Sequence, residues 1–192
     1  MNAKAAAILA NPHPCGHIVY PYTDEGLVGQ AVCLFASAGL RDGEGVILIM
    51  NNAHREPIML RLQIEGFNVE AYEQSGQLTC VTTEDLLGKF MPNGRLDEVL
   101  FRSTIGWLID HARESVGNGR SGKVRVFGEM VSQLRTTDLT ATTRLEELWN
   151  EVIDKHSVSL LCTYALHNAT DHIPQPLIAL HSYNIERKSA VS

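Results

Sequence analysis

Short apolar runs that alternate with stretches of helical periodicity constrain this chain more than any other feature of its sequence. Val46–Met50 is the clearest run, because five apolar side chains follow one another without a polar residue between them. A strand of this kind is buried on both faces, which occurs in parallel sheets that helices cover on each side. The expected strands are 17–22, 46–50, 67–72, 77–81, 124–127, 158–164 and 177–182.

Helical signals separate these strands. Thr23 or Asp24 can cap a helix that ends at Gly39, and Asn52 can cap a second helix that ends near Gly66. Thr82 or Thr83 begins a short helix, and longer apolar stripes predict helices over 96–108 and 139–153. Strands alternating with helices predict one three-layer α/β domain, with a mainly parallel sheet and helices on both faces.

Net charge and apolar run length exclude two kinds of partner. The chain has 22 acidic and 16 basic residues, a formal net charge of −6, so we expect no direct contact with nucleic acid. Its apolar runs are far shorter than the roughly 18 residues that a membrane span needs, so no membrane insertion is expected. The four cysteines are scattered singly, as in proteins of a reducing compartment, and we expect a cytoplasmic location.

The ends of the expected strands nominate the first site residues. In open parallel sheets, ligands bind beyond the carboxyl ends of the strands. The residues at these positions are Tyr20, Tyr22, Thr23, Asp24, Glu25, Asn51, Asn52, His54, Gly128, Glu129, Met130, Tyr164 and His167. Among them, Glu129 has the chemistry of a general base, a metal ligand or a hydrogen-bond acceptor, and it equally suits the negatively charged first turn of a helix.

A glycine-rich segment, 117–122, matches the pattern of a phosphate-binding loop and is followed by Lys123. Such loops leave a strand and enter a helix, so that backbone N–H groups face the phosphate. Here the predicted order is reversed, and Val124 stands where a P-loop needs Ser or Thr. After the first strand, Asp24 and Glu25 would repel a triphosphate. ATP binding or hydrolysis with Glu129 as the base is an alternative hypothesis.

A second motif places His13, Cys15 and His17 at alternate positions. In an extended segment the three side chains would lie on one face and could bind a transition metal. Turn residues that lead into a strand explain the same pattern, and we expect no metal or other cofactor. A metal or thiol redox sensor that uses this motif with Cys162 is the other alternative. Glu146 and Asn150 share one face of the last long helix and could act together, although a solvated helix surface gives the same spacing.

Several of these fragments together resemble the MEDS domain, the methanogen/methylotroph sensory domain of bacterial signalling proteins. The matching pieces are His17 with Tyr22, Gly39-Leu40 with Gly43-Glu44, Arg125-x-x-Gly128-Glu129-Met130, Leu145-Glu146-x-x-Trp149-Asn150 and Leu161-Cys162-x-Tyr164. The resemblance implies a RecA/KaiC-like P-loop NTPase fold without a functional Walker A motif. It also implies that 15–166 form a sensory core, between an extension over 1–14 and a strand or tail over 167–192. Family members often carry Cys where this chain has Val19.

The resemblance also implies a ligand pocket and a signalling role. The implied ligands are small molecules, with hydrocarbon derivatives proposed for the family, and the output is a kinase, an anti-sigma factor or another regulator. Because this sequence ends soon after the core, we expect a separate partner protein, with homodimer formation as one signalling route. We therefore expect a non-catalytic sensor with no catalytic residues. Its predicted ligand-binding residues are His17, Tyr22, Glu25, Glu129, Met130, Glu146, Asn150, Cys162 and Tyr164.

Overall fold

A single parallel sheet forms the centre of the molecule. The computed structural model describes residues 1–117, 122–168 and 170–185. Within these residues the six strands are β1 (His17–Tyr22), β2 (Gly45–Met50), β3 (Leu78–Thr82), β4 (Val124–Gly128), β5 (Ser159–Ala165) and β6 (Tyr183–Asn184). They lie in the order β3-β2-β4-β5-β1-β6, and every neighbouring pair is parallel.

Helices cover both faces of this sheet. In the described part of the chain they are α1 (Ala3–Ala10), α2 (Glu25–Arg41), α3 (Asn52–Ile64), α4 (Val69–Gln74), α5 (Thr83–Phe90), α6 (Glu98–Ser115), α7 (Met130–Arg135), α8 (Leu139–His156) and α9 (Gln175–Ile178), with a 3₁₀ turn at Pro92–Gly94. Helices α1 to α4 pack on one face and α5 to α9 on the other. The predicted three-layer α/β fold is confirmed. No helix in the described ranges has the length and apolar character needed to cross a membrane.

Side-chain alternation along the strands divides the core into two layers. In β1, Ile18 and Tyr20 face the layer of α1 to α4, whereas Val19 faces the layer of α5 to α9. Strands β2, β4 and β5 are buried at nearly every position, which explains their unbroken apolar sequences. The sheet is therefore a barrier between two separate sets of helices and loops.

Two predicted strands are wrong. The segment 67–72 forms most of α4 instead, because the Asn68 side chain caps that helix by accepting a hydrogen bond from the Ala71 N–H at 3.1 Å. The segment 177–182 contains the end of α9, and the chain becomes extended only at β6, where two residues pair with the edge of β1. Asn51 rather than Asn52 caps α3.

The predicted helix end at Gly39 is also wrong, since α2 continues to Arg41. Gly39 lies where α2 crosses β4, and a Cβ atom there would lie 2.9 Å from Cδ of Arg125. The glycine thus provides room for a buried arginine. The chain turns out of α2 at Gly43, whose φ of 73° is the left-handed conformation that suits glycine.

Arg125 connects the first helix to the rest of the fold. Its guanidinium forms a buried ion pair with Glu44 and donates hydrogen bonds to the carbonyl oxygens of Leu9 at 3.3 Å and Ala10 at 3.0 Å. These carbonyls belong to the last turn of α1, where no further intrahelical donor is available. Ala5 and Leu9 are buried in the same layer as α2. The segment 1–14 therefore contains a helix that contributes to the core.

Candidate functional site

A cleft of about 800 Å³ opens at the carboxyl end of the sheet, where residues of α2, α3, α5 and α7 line it. Its volume is within the range of roughly 300 to 1,000 Å³ that is usual for small-molecule sites. The end of β1 contributes Tyr22, the end of β2 contributes Asn51 and the end of β4 contributes Glu129. The cleft is lined by Tyr22, Glu25, Gly26, Gly29, Asn51, Ala53, His54, Pro57, Ile58, Thr83, Glu84, Glu129, Ser132, Gln133, Thr136, Ala165 and His167.

His54 lies between two carboxylates at the centre of this cleft. Its Nδ1 is 2.7 Å from Oε2 of Glu129, and its Nε2 pairs with Glu25. The Glu129 side chain is only 4% exposed, whereas that of Glu25 is 70% exposed. The hydrogen bond that His54 donates to Glu129 is the main reason that the pKa of His54 is raised to about 9, against the opposing effect of burial. His54 is therefore cationic at neutral pH.

Asn51 positions both Glu129 and His54. Its side-chain oxygen caps α3 by accepting a hydrogen bond from the His54 N–H at 2.9 Å, and its own backbone N–H donates to Glu129. The cap forms here because β2 ends at Met50 and the chain must turn directly into α3. Glu129, His54 and Asn51 therefore hold one another in a single arrangement.

Apolar side chains form the wall of the cleft beside this polar group. Tyr22 is 5% exposed, and its ring meets that of His54 edge-on with centroids 6.3 Å apart. Burial and the nearby Glu25 and Glu129 raise the pKa of Tyr22, so its hydroxyl stays protonated. Pro57 and Ile58 of α3 lie on the same wall. A mostly apolar cleft with a few fixed polar groups is typical of small-molecule recognition.

A second polar group lies buried on the opposite face of the sheet. Oε2 of Glu146 is 3.2 Å from Nε2 of His17 and 3.7 Å from Sγ of Cys162, and Tyr164 donates a hydrogen bond to its other oxygen. His181 is 3.3 Å from Oε1 of the same carboxylate. Burial acts to raise the pKa of Glu146, but the two histidines outweigh it and keep the carboxylate ionised. Burial, followed by the charge of Glu146, raises the pKa of the Cys162 thiol.

The structure thus separates the predicted ligand-binding residues into two groups. Tyr22, Glu25 and Glu129 line the cleft. The buried group contains His17, Glu146, Asn150, Cys162 and Tyr164. The division follows from β1, because His17 and Tyr22 are five positions apart and so lie on opposite faces and at opposite ends of the strand. Met130 is 1% exposed in the core beside α5 to α9 and lines neither group.

Two histidines are missing from the predicted set of ligand-binding residues. His54 was nominated by its place after β2, and only its contacts show that it joins two carboxylates. His181 follows α9, in a segment whose sequence carries no periodic pattern, and no signal identified it. His167, also nominated by its place after a strand, borders the cleft.

Lys123, which follows the glycine-rich segment, lies far from the cleft. Lys123 precedes β4 and Glu129 follows it, so the two are separated by the length of the strand, roughly 20 Å at about 3.3 Å per residue. Residues 118–121 of this segment lie outside the described residues. Where a P-loop would stand, after β1, the Asp24 carboxylate accepts hydrogen bonds from the N–H groups of Gly26 at 2.7 Å and Leu27 at 3.3 Å.

The alternating motif of His13, Cys15 and His17 does not form one face. Cys15 has a φ of 62° and is exposed, so the segment turns instead of extending. Only His17 of the three reaches the buried group around Glu146. The three side chains therefore do not converge as the alternative of a metal or thiol sensor at this motif requires.

Comparison with protein families gives a match. The model of the family described as MEDS, the MEthanogen/methylotroph, DcmR Sensory domain, matches residues 16–182. No curated protein matches the chain.

Proposed function

Because this chain belongs to the MEDS family of sensory domains, we propose that it is a non-catalytic sensor whose cleft at the carboxyl end of the sheet binds a small organic molecule. The observation that carries the proposal is the position of the Glu129–His54–Glu25 group beside the apolar wall of Tyr22 and Ile58. Sheets of this type bind ligands at that edge.

The charges that line the cleft indicate the class of ligand. Glu25, Glu84 and Glu129 are acidic, and the cationic His54 opposes them, while no lysine or arginine is among the described lining residues. This balance favours a neutral or positively charged molecule and disfavours phosphates. A small hydrocarbon derivative with one polar group would satisfy both the apolar wall and the polar group, in keeping with the ligands proposed for the family.

Three features support a binding function over nucleotide hydrolysis. The Asp24 carboxylate occupies N–H groups at the start of α2 that would otherwise face a phosphate. His54 is protonated at neutral pH, and a protonated imidazole is a poor general base. Glu129 is already committed to His54 and to the Asn51 N–H.

We further propose that binding is read by a partner protein of the kinase, anti-sigma or regulator type in the cytoplasm of a bacterium, with ligand-biased homodimer formation as one route. The cysteines among the described residues are all free thiols, which fits a reducing compartment. A ligand can change such an interaction only by binding one state of the sensor better than another. The RecA/KaiC-like relationship remains a prediction from the resemblance.

Thermal-shift measurements with a library of short alcohols, alkyl amines and halogenated alkanes test ligand binding. We expect at least one compound to raise the melting temperature of the wild type in a concentration-dependent manner, and ATP with Mg²⁺ to leave it unchanged. Gly29→Leu places a side chain beside the cleft, at a position where an added Cβ meets no described heavy atom within 4 Å. We expect this variant to fold and to lose the response.

Gly88→Leu is the matched control, since Gly88 also has no described heavy atom within 4 Å of an added Cβ and does not line the cleft. It should respond as the wild type does. An equal response in Gly29→Leu would place the ligand elsewhere, and stabilisation by ATP with turnover would replace the sensor with a nucleotide hydrolase.

A further inference from the structure

Four potential metal ligands converge in the buried group behind β1 and β5. Nε2 of His17, Nε2 of His181, Sγ of Cys162 and a carboxylate oxygen of Glu146 all lie within 4.8 Å of one another. The side chains of His17, Glu146 and His181 are at most 1% exposed, and Cys162 is buried. They come from β1, α8, β5 and the segment after α9, so the fold itself brings them together.

Hydrogen bonds on the far side of each imidazole fix its tautomer. Asn150 donates through Nδ2 to the Leu180 carbonyl at 3.0 Å, so its Oδ1 faces Nδ1 of His17 at 2.8 Å and must accept a hydrogen bond from it. Nδ1 of His181 donates in the same way to the Leu177 carbonyl at 2.8 Å. In the neutral form, both rings therefore direct an unprotonated Nε2 at the Glu146 carboxylate.

With both histidines neutral, this arrangement needs a positive charge at its centre. Two nitrogen lone pairs, a carboxylate and a sulfur atom meet where water has little access, and the Nε2 of His181 is buried without a hydrogen-bond partner. Buried acceptors that face one another are costly unless a cation or protons lie between them. The Tyr164 hydroxyl donates a hydrogen bond to Oε1 of Glu146, whereas Oε2 faces His17 and Cys162.

We propose that His17, Glu146, Cys162 and His181 bind one Zn²⁺-type divalent ion in a closed tetrahedral site. Bonds of about 2.0 to 2.3 Å place neighbouring tetrahedral ligands about 3.3 to 3.8 Å apart. The distance from Nε2 of His17 is 3.2 Å to Oε2 of Glu146 and 3.4 Å to Sγ of Cys162, and the distance between the latter two atoms is 3.7 Å. The first of these distances is slightly shorter than that range, and the other two are within it.

Charge and ligand chemistry favour the same ion. The ion would bind Cys162 as its thiolate, and the released proton would pass to solvent. The thiolate and the Glu146 carboxylate then balance a charge of +2, with both histidines neutral. Thiolate and imidazole ligands together suit zinc, whereas magnesium and calcium prefer oxygen ligands. Asn150, Tyr164 and the Leu177 carbonyl orient the ligands, as outer hydrogen-bond partners do in known metal sites.

The metal site is separate from the proposed ligand cleft, because none of its four residues lines the cleft. Its role would be structural, since all four positions are filled by protein and none is left open for a substrate. It would attach the segment after α9 to β1 and α8. A negative result in the metal experiments would therefore not contradict the proposed ligand cleft. A negative result in the ligand experiments would not contradict the metal site.

Metal content and Co²⁺ substitution test the site directly. Protein purified without chelators should contain about one zinc per chain, and X-ray absorption at the zinc edge should show one sulfur and three nitrogen or oxygen ligands. After replacement by Co²⁺, we expect intense tetrahedral d–d bands and a thiolate-to-cobalt charge-transfer band. Cys162→Ser should lose the charge-transfer band. Cys33→Ser should keep it, because Cys33 is a buried thiol in the other core layer.

Three results would overturn the proposal. The first is protein that is free of metal as purified and binds neither Zn²⁺ nor Co²⁺ on titration, which would mean that protons alone hold the buried group together. The second is a charge-transfer band that persists in Cys162→Ser. The third is a zinc edge spectrum of the wild type without sulfur, a measurement that does not depend on any variant folding.

Discussion

His54 supplies a positive charge inside the cleft, among acidic lining residues. It pairs with Glu129 after β4 and with Glu25 at the start of α2, while its backbone N–H is capped by Asn51. Three segments that are distant in sequence thus depend on one imidazole. Its raised pKa makes the protonated form the one that the fold stabilises.

A pH dependence of stability follows from this raised pKa. His54 titrates near 6.5 when unfolded and at about 9 when folded, so its contribution is complete below pH 6.5 and is lost as the pH rises through 9. We expect the free energy of unfolding of the wild type to exceed that of His54→Gln by about 1 to 2 kcal/mol more at pH 6 than at pH 10. We expect a free-energy difference of only this size because Glu25 is largely exposed and its ion pair with His54 is screened by solvent.

Urea denaturation at several pH values measures this difference, and groups that titrate alike in both proteins cancel. His111→Gln is the control, because His111 is exposed on α6 and stacks only on Trp107 in its ring contacts. A difference between wild type and His54→Gln that stays constant with pH would show that the carboxylate partners do not raise the pKa of His54.

The sequence allowed Tyr22, Glu25 and Glu129 to be proposed as site residues because each follows the end of an apolar strand, where open parallel sheets place their ligands. It could not show that His17 belongs to a different group, since that depends on which face of β1 each residue occupies. His181 escaped prediction because its position depends on a tail that has no periodic pattern. Its partners, Glu146 and Cys162, are distant in sequence.

In helix α2, one contact can reverse the usual effect on stability of replacing a glycine by alanine. Alanine in place of a mid-helix glycine normally stabilises a protein by about 1 kcal/mol. At Gly39 the new methyl group would lie 2.9 Å from Cδ of Arg125 and 3.0 Å from Cγ2 of Val46, and both neighbours are buried. Overpacking of this kind costs about 1 to 3 kcal/mol. We expect Gly39→Ala to destabilise the protein by about 1 to 2 kcal/mol.

Gly29→Ala, in the same helix, is the internal control, because the added methyl meets no heavy atom within 4 Å in the described chain. It should stabilise the protein by about 0.5 to 1 kcal/mol. Both values come from urea denaturation at one pH. Stabilisation by Gly39→Ala would show that Arg125 does not pack against this helix.

The elements that were predicted correctly are those whose sequence pattern is set by burial. Strands β2, β4 and β5 are enclosed on both faces, and their apolar runs follow directly from this. The segment 67–72 contains Phe67, Val69 and Tyr72, which favour a strand, but the Asn68 cap stabilises the start of a helix. The pairing of β6 with β1 is a tertiary contact of two residues, too short for any sequence pattern.

At the scale of the whole molecule, the buried Arg125 connects helices α1 and α2 to the sheet. Arg125 in β4 pairs with Glu44, and it also bonds the last carbonyls of α1 and the Phe35 carbonyl of α2. Removal of one partner from a buried ion pair leaves the other charge uncompensated and costs about 3 to 5 kcal/mol. We expect Arg125→Met to destabilise the protein by about this amount.

Denaturant unfolding of single and double variants tests this dependence. Glu44→Gln in the Arg125→Met background removes the unpaired charge and should recover part of the loss. If the two substitutions are additive, Arg125 and Glu44 do not form a coupled pair, and another contact must attach α1 to the sheet.

The central claim is that the carboxyl edge of the sheet binds a small, weakly charged molecule. A crystal structure of the protein soaked with the compound that stabilises it best tests this claim most directly. We predict electron density between Tyr22, His54 and Ile58, with a polar atom of the compound within hydrogen-bond distance of Glu129 or His54. Density for the compound at any other place, or a nucleotide with Mg²⁺ in the cleft, would contradict the claim.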